Sequence, residues 1–251
     1  MTYEGAEHVR WDELNRRQLA DLLPEAVVVV PTGATEQHGP HLPTGTDAWL
    51  ATTVVERAVA DHDYPRPMII APTVSIGASD HHFAFGGTLS LAPETFVAIL
   101  LDIARSVATC GGRRLVFVNG HGGNQGPCAT AAAAASTRYE VMVGYTDYWS
   151  LLPLDGLTEA QRAAVPGHAG EFETSLMLAV RPDLVAPSQP REPVTPLDNP
   201  PGVQVYGAEY WSVIDGHSDD PSVASVDTGK AWLDAIVEAL RDRLTELARI
   251  L

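Results

Sequence analysis

Ala26-Val27-Val28-Val29-Val30-Pro31 is a β-branched run closed by a proline, with Gly33 just beyond it. A strand with one wet face alternates polar and apolar residues. This run has no polar position, which predicts a central strand buried on both sides. The polar segment Thr32 to Thr46 then leads into Asp47 to Ala60, where Leu50, Val54, Val55, Ala58 and Val59 recur at helical spacing. Met68-Ile69-Ile70-Ala71 reads as a second strand. Pro93 to Ala108 reads as a helix, with proline at its start and Gly111-Gly112 past its end. Leu115-Val116-Phe117-Val118 is again apolar throughout. The turn Asn119-Gly120-His121-Gly122-Gly123-Asn124 leads into the alanine-rich helix Cys128 to Ser136, and Val141 to Tyr145 reads as the next strand. Buried strands alternating with helices predict the α/β class, a three-layer α/β/α sandwich with a mostly parallel central sheet.

Pro187, Pro190, Pro193, Pro196, Pro200 and Pro201 exclude helix from their segment. Beyond them one clear helix remains, from about Ser225 to Ile250, too little for a second core. The proline segment is therefore read as a surface excursion, and residues 1–251 as one domain. The chain has 251 residues, 45% of them apolar and 19% charged, which excludes disorder as its main state. Its 32 acidic against 16 basic residues give a net charge of −16, which opposes nucleic acid and acidic membrane surfaces as partners. No apolar run approaches the roughly 20 residues of a membrane helix. Cys110 and Cys128 show no disulfide or zinc-cluster spacing, and Met1 to Arg10 lack a signal-peptide core, so the expected address is cytoplasmic.

Ligands in open α/β sheets bind beyond the carboxyl ends of the strands, here in the loops after Val30 and Val118. The first reads Thr35-Glu36-Gln37-His38-Gly39-Pro40-His41-Leu42-Pro43-Thr44-Gly45-Thr46-Asp47, with two carboxylates and two imidazoles. The second contributes His121. Glu, His and Asp suit zinc, manganese or iron, and a shared carboxylate can bridge two such ions. The residues alone leave a second account open. The turn Gly120 to Asn124 could cradle a phosphate through its amides, although it lacks a P-loop lysine.

The sequence resembles the creatininase (creatinine amidohydrolase) family in four ordered blocks. These are Gly33-Ala34-Thr35-Glu36-Gln37-His38-Gly39-Pro40-His41-Leu42-Pro43 with Asp47, then Gly86-Gly87-Thr88-Leu89-Ser90, then Val118 to Asn124, then Gly167-His168-Ala169-Gly170-Glu171-Phe172-Glu173-Thr174-Ser175. The resemblance implies the α/β/α fold, a homo-oligomer, commonly a hexamer, and two divalent metal ions per subunit (Zn, Mn or Fe). By position, Glu36 and His121 would bind one ion and His38 the other, with Asp47 bridging them. Creatininase has a glutamate two residues after the histidine matched by His121, where this chain has Gly123. Glu171 is the expected substitute, because creatininase has an apolar residue at that position. Glu173 is the runner-up, with a competing role as a helix-capping carboxylate.

Family chemistry implies that the ions draw a nucleophile from water for attack on an amide carbon, with a general acid protonating the leaving amine. His168 is the expected acid, its competing role being a hydrogen bond to a ligand carboxylate. Creatininase holds its ring with a Trp-Asp pair whose matching positions here are Ala164 and Val165, so creatinine is not the expected substrate. His81, His82, Gly122 and Trp149 are expected to contact the substrate. For Trp149 a lid or subunit contact competes, and for the two histidines simple exposure. His41 could be an extra base, while His8, His62 and His217 receive no role. The resulting expectation is an amidohydrolase cleaving a cyclic amide or formamide C–N bond of a small polar molecule. A metallopeptidase on a short peptide tail, as in the mycofactocin branch of the family, and a non-catalytic metal- or phosphate-binding module are the alternatives.

Overall fold

The computed structural model describes residues 9–60, 63–190 and 207–250, together with 192, 194, 200, 203 and 205. His8 and His62 therefore lie outside the described residues, as does much of the proline-rich segment. Of that segment, residues 187–190 have no regular structure.

Four parallel strands, β1 (Val27–Thr32), β2 (Met68–Ile70), β3 (Arg114–Asn119) and β4 (Met142–Asp147), form a sheet in the order β2-β1-β3-β4. In register, Val28 faces Ile69 on one side and Leu115 on the other, and Leu115 faces Val143. Every residue of β1 is buried, as its unbroken apolar run predicts. The alternation within that run divides the core. Val27 and Val29 join one cluster with α2 (Thr46–Val59), α6 (Glu171–Val180) and α8 (Val226–Ile250). Val28 and Val30 join another with α3 (Pro93–Thr109) and α4 (Gln125–Arg138). Each such valine contributes roughly 1.5–3 kcal/mol relative to exposure. The fold is the expected three-layer α/β/α sandwich.

Three short helices were not predicted: α1 (Arg16–Leu22), α5 (Glu159–Ala163) and α7 (Ala208–Val213). The first two carry a local signal, the reciprocal capping boxes Asn15/Gln18 and Thr158/Gln161. Strand β4 runs two residues past its predicted end, because Thr146 and Asp147 pair with Val118 and Asn119. No helix among the described residues is long and apolar enough to cross a membrane.

Candidate metal centre

The loops after β1, β2 and β3 meet at the carboxyl end of the sheet, joined by the residues that precede α6. Asp47 arrives in the first turn of α2, where the helix dipole favours a carboxylate. Gly120 lets the loop after β3 pass close by: a Cβ there would lie 2.9 Å from Asp47 O. Around this junction Glu36, His38, Asp47, His82, His121, His168 and Glu173 are all buried.

The distances tie them into one cluster. His38 Nε2 lies 3.0 Å from Asp47 Oδ1, and His121 Nδ1 lies 3.1 Å from Asp47 Oδ2, so Asp47 stands between the two imidazoles. Glu36 Oε1 is 3.3 Å from His121 Nδ1, 3.3 Å from His82 Nε2 and 3.7 Å from His168 Nδ1. The far nitrogens of the ring pairs are held by the protein. His38 Nδ1 donates to Glu36 O at 3.1 Å, and His121 Nε2 donates to Ala78 O at 3.1 Å. In the neutral ring each donation fixes the tautomer whose other nitrogen would offer its lone pair to a cation.

Glu36 Oε2 and Asp47 Oδ2 are buried with no hydrogen bond in good geometry. Among the described residues that line the cavity there is no lysine or arginine. Three buried carboxylates without a fixed cation beside them are costly unless positive charge is supplied. Protons supply it in the metal-free protein. Burial alone would lower the pKa of His38, but Asp47 and Glu173 outweigh it and hold the ring well above its ordinary value. Burial is likewise outweighed at His121, by Glu36 and Asp47. Burial would raise Asp47, yet His38 and His121 hold it well below the usual carboxylate range. The donor set, the orphaned oxygens and the fixed tautomers fit divalent cations. Among the described residues, three groups of ligand atoms stand close enough to share an ion: His38, Asp47 and Glu173; Glu36, His81 and His121; and Glu36, His38 and His168.

The expectation for Glu171 is corrected. Its carboxylate accepts from Gln161 Nε2 at 3.3 Å, outside the cluster. Glu173 is the carboxylate that faces His38, with Oε2 3.6 Å from Nε2, while the same oxygen accepts the Ala169 N–H at 2.5 Å. Two steps along a helix rotate a side chain by about 200°, so the two glutamates on α6 cannot face the same site. Gly123 shows why no carboxylate could come from the other loop. A Cβ there would stand 2.2 Å from Ala78 O and 2.5 Å from His121 Nε2.

His168 lies in the cluster, with Nε2 3.0 Å from Gln37 O. Burial, together with the charges of His38, His82 and His121, pushes its pKa well below the ordinary value rather than leaving it near neutral pH. His82 is pushed down to about 2 and His81 to about 4, by burial first and neighbouring imidazoles second. His81, His82, Gly122 and Trp149 all line the cavity of about 650 Å³ that opens onto the cluster. His82 is buried rather than exposed, and Trp149 also packs into the core. His41 is not a pocket base: its Nε2 meets Thr174 Oγ1 at 3.0 Å, away from the cavity lining.

Sequence reasoning missed Gln37, whose Nε2 lies 2.9 Å from both His82 Nδ1 and His168 Nε2. It also missed Tyr210 and Trp211, which α7 brings to the cavity wall. Trp211 packs 4.4 Å from His81 and 4.8 Å from His82. An adjacent aromatic pair without helical periodicity was the signal available.

A family model described as creatininase, creatinine amidohydrolase, matches residues 8–244. The chain belongs to the creatininase family. The chain is 43% identical over 174 residues to the mycofactocin precursor peptide peptidase of Mycolicibacterium smegmatis, covering 66% of this chain and 62% of the peptidase. It therefore spans about three fifths of that relative's length. Similarity to the creatinine amidohydrolase of Pseudomonas putida is lower, at 29%, but extends over 94% of both chains. The fold matches a solved structure named "Creatininase Mn" with a TM-score of 0.78 at 26% identity, covering 95% of this chain and 98% of that one.

Proposed function

We propose that this chain is a dinuclear metal-dependent hydrolase of an amide bond in a short peptide. The observation that carries the metal reading is the set of buried carboxylates, two with orphaned oxygens, packed against imidazoles with no lysine or arginine among the described residues that line the cavity. Glu36 and His121 would hold one ion, His38 and Glu173 the other, with Asp47 shared. Bound divalent ions supply Lewis acidity, which lowers the pKa of water and polarises a carbonyl oxygen.

The protein's own groups supply the proton traffic. His168 stands neutral, and donation from its Nε2 to Gln37 O leaves Nδ1 able to take a proton from the attacking water. Protonated there, it can return that proton to the leaving amine nitrogen, so the acid expected at this position acts first as a base. The Gln37 amide donates to His82 Nδ1 and orients that ring, while the Gln37 backbone carbonyl orients His168.

The peptide reading is supported by the 43% identity over 174 residues to the Mycolicibacterium smegmatis mycofactocin precursor peptide peptidase and by the cavity. Its walls include Trp149, Pro166, Val205, Tyr210 and Trp211, and its charged lining is acidic, with Asp80 near the rim. Such a pocket favours neutral peptide with apolar side chains over small anions. The second reading is the cyclic amide or formamide of a small polar molecule, favoured by the full-length likeness to a creatinine amidohydrolase. A single metallohydrolase domain forming a homo-oligomer in the cytoplasm belongs to the same proposal. The test is turnover by metal-reconstituted protein on a panel of short apolar peptides, lactams and formamides. Peptide cleavage abolished by chelation and restored by Zn, Mn or Fe is expected. Turnover confined to lactams or formamides would overturn the peptide reading in favour of the second.

A further inference from the structure

His81 lies on the 3₁₀ turn Asp80–Phe85, in the loop region after β2. Its ring offers a nitrogen to the same space as a Glu36 oxygen and a His121 nitrogen, the three atoms lying within 4.8 Å of one another. His121 Nε2 is committed to Ala78 O and to Ser79 Oγ, at 3.1 and 3.2 Å, so Nδ1 is the atom facing Glu36. The approach of His81 depends on the bare backbone at position 123, where a Cβ would stand 2.9 Å from His81 Cε1. The ring thus comes up to the place that a side chain at 123 would claim. Its orientation is set by aromatic neighbours, His82 at 4.3 Å and Trp211 at 4.4 Å. Packing of this kind holds a ring in place without using its nitrogens.

We infer that His81 is a metal ligand, joining Glu36, His121 and the shared Asp47 in a two-imidazole, two-carboxylate site, rather than a substrate contact. The inference rests on the metal reading above. Two imidazoles and two carboxylates suit Zn, Mn and Fe(II), and in five- or six-coordination four protein ligands leave positions open for water and a carbonyl oxygen. The missing carboxylate at 123 is thus answered twice, by Glu173 beside His38 and by His81 beside His121.

The test is titration of the metal-free full chain with Co(II), following stoichiometry, affinity and the visible ligand-field spectrum. Wild type should bind close to two ions. His81→Ala should weaken one of them by more than the roughly 10–100-fold that loss of an outer hydrogen-bonding partner causes. It should also change the spectrum. Adding imidazole to His81→Gly should restore the wild-type spectrum, and His81→Gln, which keeps bulk beside Trp211, should resemble His81→Ala. Wild-type affinity and spectrum in all three variants, with only KM raised, would overturn the ligand and leave a substrate contact. Absence of ion from wild type would overturn the metal reading itself, an outcome distinct from the first.

Discussion

Glu173 Oε2 lies 3.6 Å from His38 Nε2, while Glu171, two residues earlier on α6, is bonded to Gln161 instead. The helix thus selects which glutamate can serve the cluster. Glu173→Gln is expected to lose one ion of two by elemental analysis, and Glu171→Gln to keep both. Loss of an ion from Glu171→Gln would reverse the assignment.

Backbone crowding at position 123 makes the missing side chain a requirement. A methyl group there meets Ala78 O at 2.2 Å, and a carbonyl cannot swing away as a flexible side chain can. Gly123→Ala should therefore lower stability by about 1–3 kcal/mol, the usual cost of overpacking, and reduce metal content. Gly122→Ala is the control, since nothing lies within 4 Å of its would-be Cβ. Its stability should stay within roughly 0.5 kcal/mol of wild type in chemical denaturation.

Most of the fold is legible because burial on both faces leaves an unmistakable mark. The four valines of β1 and the Leu-Val-Phe-Val run of β3 each tolerate no polar residue, and the loops after them had to hold the site. Glu36, His38, Asp47 and His121 follow from that logic and the family resemblance, and the structure brings them together. The choice between Glu171 and Glu173 turns on helical phase at the very start of α6, a boundary that sequence patterns locate only to within a few residues. Trp211 was missed for another reason. Its place depends on how the chain returns from the proline-rich segment, and neither hydrophobic period nor capping signal encodes that path.

Metal loading should release protons. In the metal-free protein His38 and His121 have pKa values held above the ordinary one by the carboxylates, so both rings are charged near neutral pH. An ion requires the neutral imidazole, and it must therefore displace up to about two protons per chain. Calorimetry at pH 7 in buffers of differing ionisation enthalpy should measure that release, and affinity should weaken steadily as the pH falls. Affinity independent of pH would mean that these rings are not ligands.

Removal of His168 separates proton transfer from metal binding. Its Nδ1 is 3.7 Å from Glu36 Oε1, yet Nε2 is tied to Gln37, so the ring is anchored independently of any ion. His168→Ala should retain close to two ions and lower kcat about 10²–10⁴-fold, the range for loss of a general acid or base. Because the ring works from its neutral form, the wild-type rate should not depend on protonating it before substrate binds. Unchanged kcat would reduce His168 to a structural role, and lost metal would make it a ligand.

The end of β4 reaches the metal loop through a chain of hydrogen bonds. Asp147 Oδ1 accepts from Asn119 Nδ2 at 2.7 Å and from Tyr145 OH at 2.6 Å, while its Oδ2 accepts from Gln125 Nε2 at 2.7 Å. Asn119 in turn grips the backbone of His121 at both ends, donating to its carbonyl at 2.7 Å and accepting its N–H at 3.1 Å. Asp147 therefore positions His121 without touching the cavity cluster. Asp147→Ala should weaken the ion at Glu36 and His121 by about 10–100-fold while leaving the His38 ion in place. Tyr145→Phe removes one of three donors to Asp147 and should weaken the same ion less than about tenfold. Equal loss of both ions in Asp147→Ala would mean general unfolding of the loop rather than positioning of one ligand, a distinction that thermal denaturation of the metal-free variant would confirm.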